Sequence, residues 1–96
     1  MDVLVTYDVA TETKAGQQRL RRVAQICKDF GQRVQKSVFE CSVNEMQLEQ
    51  LRHRLLACID KQQDSLRIYR LVGSRVRYVE VYGVSTCVDF NDPLVV

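Results

Sequence analysis

Asp8 is the first residue of this chain placed to do chemistry. It closes the apolar run Asp2-Val3-Leu4-Val5-Thr6-Tyr7, and a polar stretch, Thr11-Glu12-Thr13-Lys14, follows soon after. A carboxylate in that position has two readings. It can stay solvated and cap the loop that it opens. If a two-fold axis brings a second Asp8 alongside, the two carboxylates repel unless a proton or a cation lies between them. Mg2+ needs only one or two carboxylates, with water and a substrate phosphate completing its octahedron. An ion held there could activate water and polarise a phosphodiester.

The second group is basic. Fourteen Lys and Arg stand against twelve Asp and Glu, and the formal charge of +2 gives, as a total, little sign of a polyanionic partner. The distribution says more. Lys14, Arg19, Arg21, Arg22, Lys28, Arg33 and Lys36 share one segment with a single acid, Asp29, while Arg67, Arg70, Arg75 and Arg77 share another with none. Ten of the fourteen are arginine, whose planar fork suits bidentate phosphate contact. These blocks are either solvated faces or a surface that tracks a nucleic-acid backbone. No aromatic stacking platform or recognition-helix pattern accompanies them, so the contact would be with backbone and shape.

Other groups offer less. His53, between Arg52 and Arg54, reads as exposed and inert. Cys27, Cys41, Cys58 and Cys87 form no CxxC pair, which argues against zinc. With no secretory pattern at the N-terminus, they read as packed thiols in a reducing cytoplasm. No apolar run is long enough for a membrane span. The absence of a glycine-rich ligand loop argues against a metabolite sensor.

The elements that must position these residues follow from periodicity. Residues 2–9 are rich in β-branched and aromatic types and predict a strand. Leu20, Val23, Ala24, Cys27 and Phe30 recur at helical spacing and predict a helix over 16–30, with Gly16 at its start and Gly31 just past its end. Residues 33–43 alternate as one long second strand. Asn44 and Gln47 resemble a capping box, and Leu48, Leu51, Leu55, Cys58 and Ile59 extend a second amphipathic helix over 45–62. Residues 66–72 and 76–82 read as strands joined across Gly73-Ser74, and the tail as a fifth short strand. The fold class is α+β, a ferredoxin-like β-α-β-β-α-β sandwich over 1–83 with a tail strand over 84–96. Its sheet is antiparallel and both helices lie on one face.

The other face is also partly apolar. Val3, Val5 and Tyr7 point one way and Leu4, Thr6 and Asp8 the other; Phe39, Cys41 and Val43 likewise oppose Val34 and Val38. Two helices cover one face, and a 96-residue chain has little core to spare. The open face therefore predicts a two-fold homodimer.

Tyr7-Asp8-Val9, the arginine-rich first helix (Arg19, Arg21, Arg22) and the run Gly31-Gln32-Arg33-Val34-Gln35-Lys36-Ser37-Val38-Phe39-Glu40 together resemble the small CRISPR-associated "Cas two" family of spacer acquisition, over essentially the whole chain. The resemblance implies a homodimer joined through its open sheet faces, with the tail strand near Val84–Val88 added to the partner's sheet. It implies a Mg2+-dependent endonuclease acting on single-stranded RNA or double-stranded DNA. One Mg2+ per dimer would be shared by the two copies of Asp8, the catalytic and metal-ligating residue, with Tyr7 and Phe39 flanking the site. Arg19 and Arg33 match family arginines near the phosphates, and Lys14, Arg21, Arg22, Lys36, Arg75 and Arg77 join them as candidate nucleic-acid contacts. The resemblance also implies a partner, the "Cas one" CRISPR integrase, two dimers of which the small protein bridges while it holds the prespacer duplex. In that role the basic surface matters and the nuclease centre need not. The alternative reading is therefore a non-catalytic homodimeric DNA-binding scaffold.

Overall fold

Alternation in the first strand sets the architecture. In the computed structural model, which describes residues 1–71 together with Glu80 and Tyr82, Val3, Val5 and Tyr7 of strand β1 (Asp2–Asp8) are buried while Leu4 and Thr6 between them are half-buried. The buried set meets helix α1 (Lys14–Phe30) through Val23, Ile26 and Cys27 and helix α2 (Glu45–Cys58) through Leu48, Leu51 and Leu55. Strands β2 (Gly31–Gln35), β3 (Val38–Ser42) and β4 (Ser65–Arg70) complete a four-stranded antiparallel sheet in the order β2-β3-β1-β4. This is the expected ferredoxin-like β-α-β-β-α-β arrangement, with one face covered by the helices and, among the described residues, no element packed on the other. Phe39 and Cys41 of β3 sit opposite Val5 and Val3 and close the core.

Residues 33–43 are not one long strand. They form most of a hairpin, β2 and β3, that reverses at Lys36-Ser37, with an irregular register between Arg33 and Gln35. Helix α1 begins at Lys14, before Gly16, because the Thr13 hydroxyl accepts the Gly16 N–H at 3.1 Å and caps it. Gly31 does follow its end, but with extended backbone; a Cβ there would lie 2.2 Å from the Glu40 carbonyl oxygen. It is needed where two chain segments touch and makes no left-handed cap. Helix α2 opens with the expected capping box of Asn44 and Gln47. It stops at Cys58, short of 62, because Asp60 and Asp64 draw the following backbone into a turn. Gln62 N–H donates to Asp60 Oδ1 at 3.0 Å, and Asp60 N–H to Asp64 Oδ2 at 2.9 Å. The strand over 76–82 and the tail strand fall on positions that lie, apart from Glu80 and Tyr82, outside the described residues, as does Cys87. Cys27 and Cys41 are buried thiols and Cys58 is half-buried; burial pushes Cys27 up to about 12. No described helix is long and apolar enough to cross a membrane.

Candidate functional site

Asp8 is the last residue of β1 and is exposed. Strand alternation turns it, with Leu4 and Thr6, to the face the helices leave open. Its partner across the ladder is Ser65, the first residue of β4; Thr6 pairs with Arg67 and Leu4 with Tyr69. Ser65, Arg67 and Tyr69 are exposed and share that face. Arg67 stands diagonal to Asp8, a separation of roughly 7–8 Å between such positions and within reach of a long side chain. Its Nη1 donates to the Tyr69 hydroxyl at 3.2 Å. On the other side, Tyr7 N–H donates to the Ser37 carbonyl at 3.1 Å, so the Lys36-Ser37 turn lies beside the Asp8 end of the sheet. Asp8 takes part in none of the ion pairs of the described residues. Nor do any three His, Cys, Asp or Glu among those residues gather as a metal cluster. Asp8 is the group at this end of the sheet that could hold a cation, and one protomer supplies one such ligand.

Tyr7 and Phe39 stand on the opposite face from Asp8. Tyr7 is 5% exposed and Phe39 fully buried, their rings stack with centroids 6.2 Å apart, and the Tyr7 hydroxyl donates to the Lys36 carbonyl at 3.3 Å. Burial holds that phenol above its usual range, although Arg33 pulls the other way. These rings support the strand from beneath, and adjacency in sequence does not bring Tyr7 and Asp8 side chains together. Arg33 lies over the Phe39 ring at 5.2 Å, exposed at the sheet margin.

Arg19 is committed elsewhere. Its Nε and Nη2 donate to Asp64 Oδ2 and Oδ1 at 2.8 and 3.3 Å, and it is largely buried. It is thus a structural arginine within this chain. Lys14, Arg21 and Arg22 are exposed on α1 and form no ion pair with described residues. Lys14, Arg21 and Lys28 recur every seventh residue and line one stripe about 21 Å long. That stripe looks away from the sheet, on the far side of the molecule from Asp8. Lys36 is exposed in the hairpin turn; Arg75 and Arg77 lie outside the described residues. His53 is exposed, in a groove between the helices lined also by Arg22, Gln25, Ile26, Arg54 and Ala57.

The sequence pattern passes over Asp64 and Ser65, and it places Arg67 in a basic block without linking it to Asp8. Asp64 sits in what reads as a polar connector. Ser65 and Arg67 join Asp8 only through the β1–β4 register, which no local pattern carries.

Residues 1–78 match the model of the family described as CRISPR associated protein Cas2. A protein of Moorella thermoacetica named CRISPR-associated endoribonuclease Cas2 1 is 67% identical over 95 residues, 99% of each chain. One of Halalkalibacterium halodurans named CRISPR-associated endonuclease Cas2 is 50% identical over the same length, again 99% of each. Among solved structures, Streptococcus pyogenes Cas2 at pH 6.5 superposes with a TM-score of 0.79 at 55% identity, covering 86% of this chain and 100% of that one. A hypothetical protein of Thermus thermophilus gives 0.74 at 40% identity over 88% and 92%.

Proposed function

Because the chain belongs to the CRISPR-associated Cas2 family, we propose that it is a homodimeric, Mg2+-dependent endonuclease of the spacer-acquisition system, acting in the cytoplasm on phosphodiester bonds of RNA or double-stranded DNA. The observation that carries this reading is the placement of Asp8: an exposed carboxylate at a strand end, on the open face of the sheet, with no ion-pair partner among the described residues. Relatives named endoribonuclease or endonuclease support the reaction class.

The donor set suits a hard cation once two protomers meet. Asp8 and the partner copy's equivalent would supply two carboxylate oxygens, and water and phosphate oxygens the rest. When bound, Mg2+ supplies an activated water and polarises the phosphoryl oxygen. The chain's own part is to orient the phosphodiester and balance its charge. Arg67, diagonal to Asp8, and Lys36, in the adjacent turn, would take phosphate oxygens, and Ser65 would offer a hydroxyl on the same row.

The test is cleavage of end-labelled single-stranded RNA and double-stranded DNA. Wild-type protein cleaves with Mg2+, stops with chelator and recovers when Mg2+ is restored. Asp8→Asn falls by about a hundredfold or more with an unchanged unfolding midpoint. Wild-type protein that cleaves equally well in chelator, or not at all, contradicts the reading.

A second reading is favoured by the α1 stripe, whose cations form no ion pair among the described residues and lie remote from the Asp8 face. In that reading the dimer is a DNA-binding scaffold that bridges the "Cas one" integrase, and Asp8 is dispensable. With about five phosphates contacted, log K for duplex DNA falls with log salt at a slope near −4.5. Spacer acquisition retained by Asp8→Asn and lost on replacing Lys14, Arg21 and Lys28 together would select it.

A further inference from the structure

We propose that Asp64, held by Arg19, is a positioning residue for Asp8; the proposal rests on the reading of Asp8 as the metal-binding carboxylate. The side chain of Asp64 is 0% exposed, and that of Arg19 is 16% exposed. Such a buried carboxylate needs a full set of donors, and the described residues give Asp64 four. Arg19 supplies two through its fork, at 2.8 and 3.3 Å. The Ala10 N–H donates to Oδ1 at 3.1 Å and the Asp60 N–H to Oδ2 at 2.9 Å.

Ala10 lies two residues beyond Asp8 on the way out of β1. Asp64 itself immediately precedes Ser65, the residue that faces Asp8 across the ladder. One carboxylate therefore fixes the chain leaving Asp8 and the chain entering its partner strand, and Arg19 ties both to the second turn of α1. The exit loop is gripped again at the next positions. The Ala10 carbonyl lies so close to Gly16 that a Cβ there would come within 1.9 Å of its oxygen, and Gln17 Nε2 donates to the Thr11 carbonyl at 3.3 Å. A metal shared between two protomers doubles the demand on this frame, because a displacement of Asp8 enters once from each copy. A misplacement of about 1 Å can cost about a hundredfold in rate.

The substitution Asp64→Asn keeps the shape but replaces one acceptor with a donor that must oppose an N–H; Arg19→Lys keeps the charge and removes the fork. Each is made in the full chain. Mn2+ binding to the protein alone is read by electron paramagnetic resonance, and kcat and KM are measured per folded molecule. The expected result for both variants is Mn2+ affinity weakened by about tenfold or more and kcat lowered to a similar degree, with KM unchanged. Neither adds a further loss in an Asp8→Asn background. If Asp64→Asn does not fold, Arg19→Lys carries the same test. Unchanged Mn2+ affinity and unchanged kcat per folded molecule, with only a lower unfolding midpoint, overturn the proposal and leave Asp64 a structural group. Asp8→Asn that still binds Mn2+ and cleaves overturns the underlying reading as well, so the two failures are distinguishable.

Discussion

At Asp64 a carboxylate with no solvent exposure sits in the fork of Arg19, and that guanidinium holds its carboxyl below the usual carboxylate range, against the opposing effect of burial. A group whose folded pKa is depressed adds stability above the ordinary carboxylate value of about 4, and that contribution is lost as pH falls through the lower folded value. The thermal unfolding midpoint of the wild-type chain should therefore drop as pH is taken from about 5 to 3, and Asp64→Asn should show a shallower dependence by circular dichroism. Asp29 is also lowered, chiefly by its hydrogen bond from Arg54, but both partners are exposed and solvent leaves such a pair little weight. An equal pH slope in wild type and Asp64→Asn would show that the buried pair does not govern acid stability. Asp8, in contrast, is exposed on the sheet face and takes part in no ion pair of the described residues. The two aspartates differ in surroundings, one structural and one available.

At the scale of elements, the exit loop of β1 and the start of α1 form one packed unit. Gly16 lies inside α1, where replacement of glycine by alanine ordinarily stabilises a helix by about 1 kcal/mol. Here the new Cβ would meet the Ala10 backbone at 1.9 Å, so Gly16→Ala should destabilise by about 1–3 kcal/mol in chemical unfolding. A neutral or stabilising result would show that the loop yields. The same region shows what local patterns carry. The strand over 2–8, both helices and the Asn44 cap are legible because apolar period and capping chemistry are local. The β2–β3 reversal is not, since Lys36-Ser37 contains neither glycine nor proline and the flanking residues keep alternating through the turn. The end of α2 is set by Asp60 and Asp64 accepting from nearby backbone, an alternative that its apolar stripe, running on to Ile59, does not announce. Asp8 is legible as an acid at a strand end. The partnership of Asp64 with Arg19 spans 45 residues, and the row that joins Asp8 to Ser65 depends on a pairing fixed only when the sheet forms. The arginine fork that reads as a phosphate contact at Arg19 is spent inside the fold for the same reason: its partner is distant in sequence.

At the scale of the whole molecule, a net charge of +2 conceals two surfaces. The outer side of α1 carries Lys14, Arg21 and Lys28, and the sheet face on the opposite side carries Asp8 with Arg67 close by. Leu4, Thr6 and Val38 are half-buried and Tyr69 exposed on that open face, a patch suited to a second copy of the chain. Leu4→Arg places a charge at the middle of that patch, and its paired copies would oppose each other across a two-fold axis. Sedimentation equilibrium should show wild-type dimer and a folded Leu4→Arg monomer with cleavage lost alongside; a persistent dimer would move the interface elsewhere. In the proposed dimer the two copies of Asp8 act on one ion. Mixed dimers of one wild-type and one Asp8→Asn chain, isolated through two different tags, test it most directly by their Mg2+-dependent cleavage rate. A rate close to that of the Asp8→Asn homodimer is expected; half the wild-type rate would show two independent sites and contradict a shared ion.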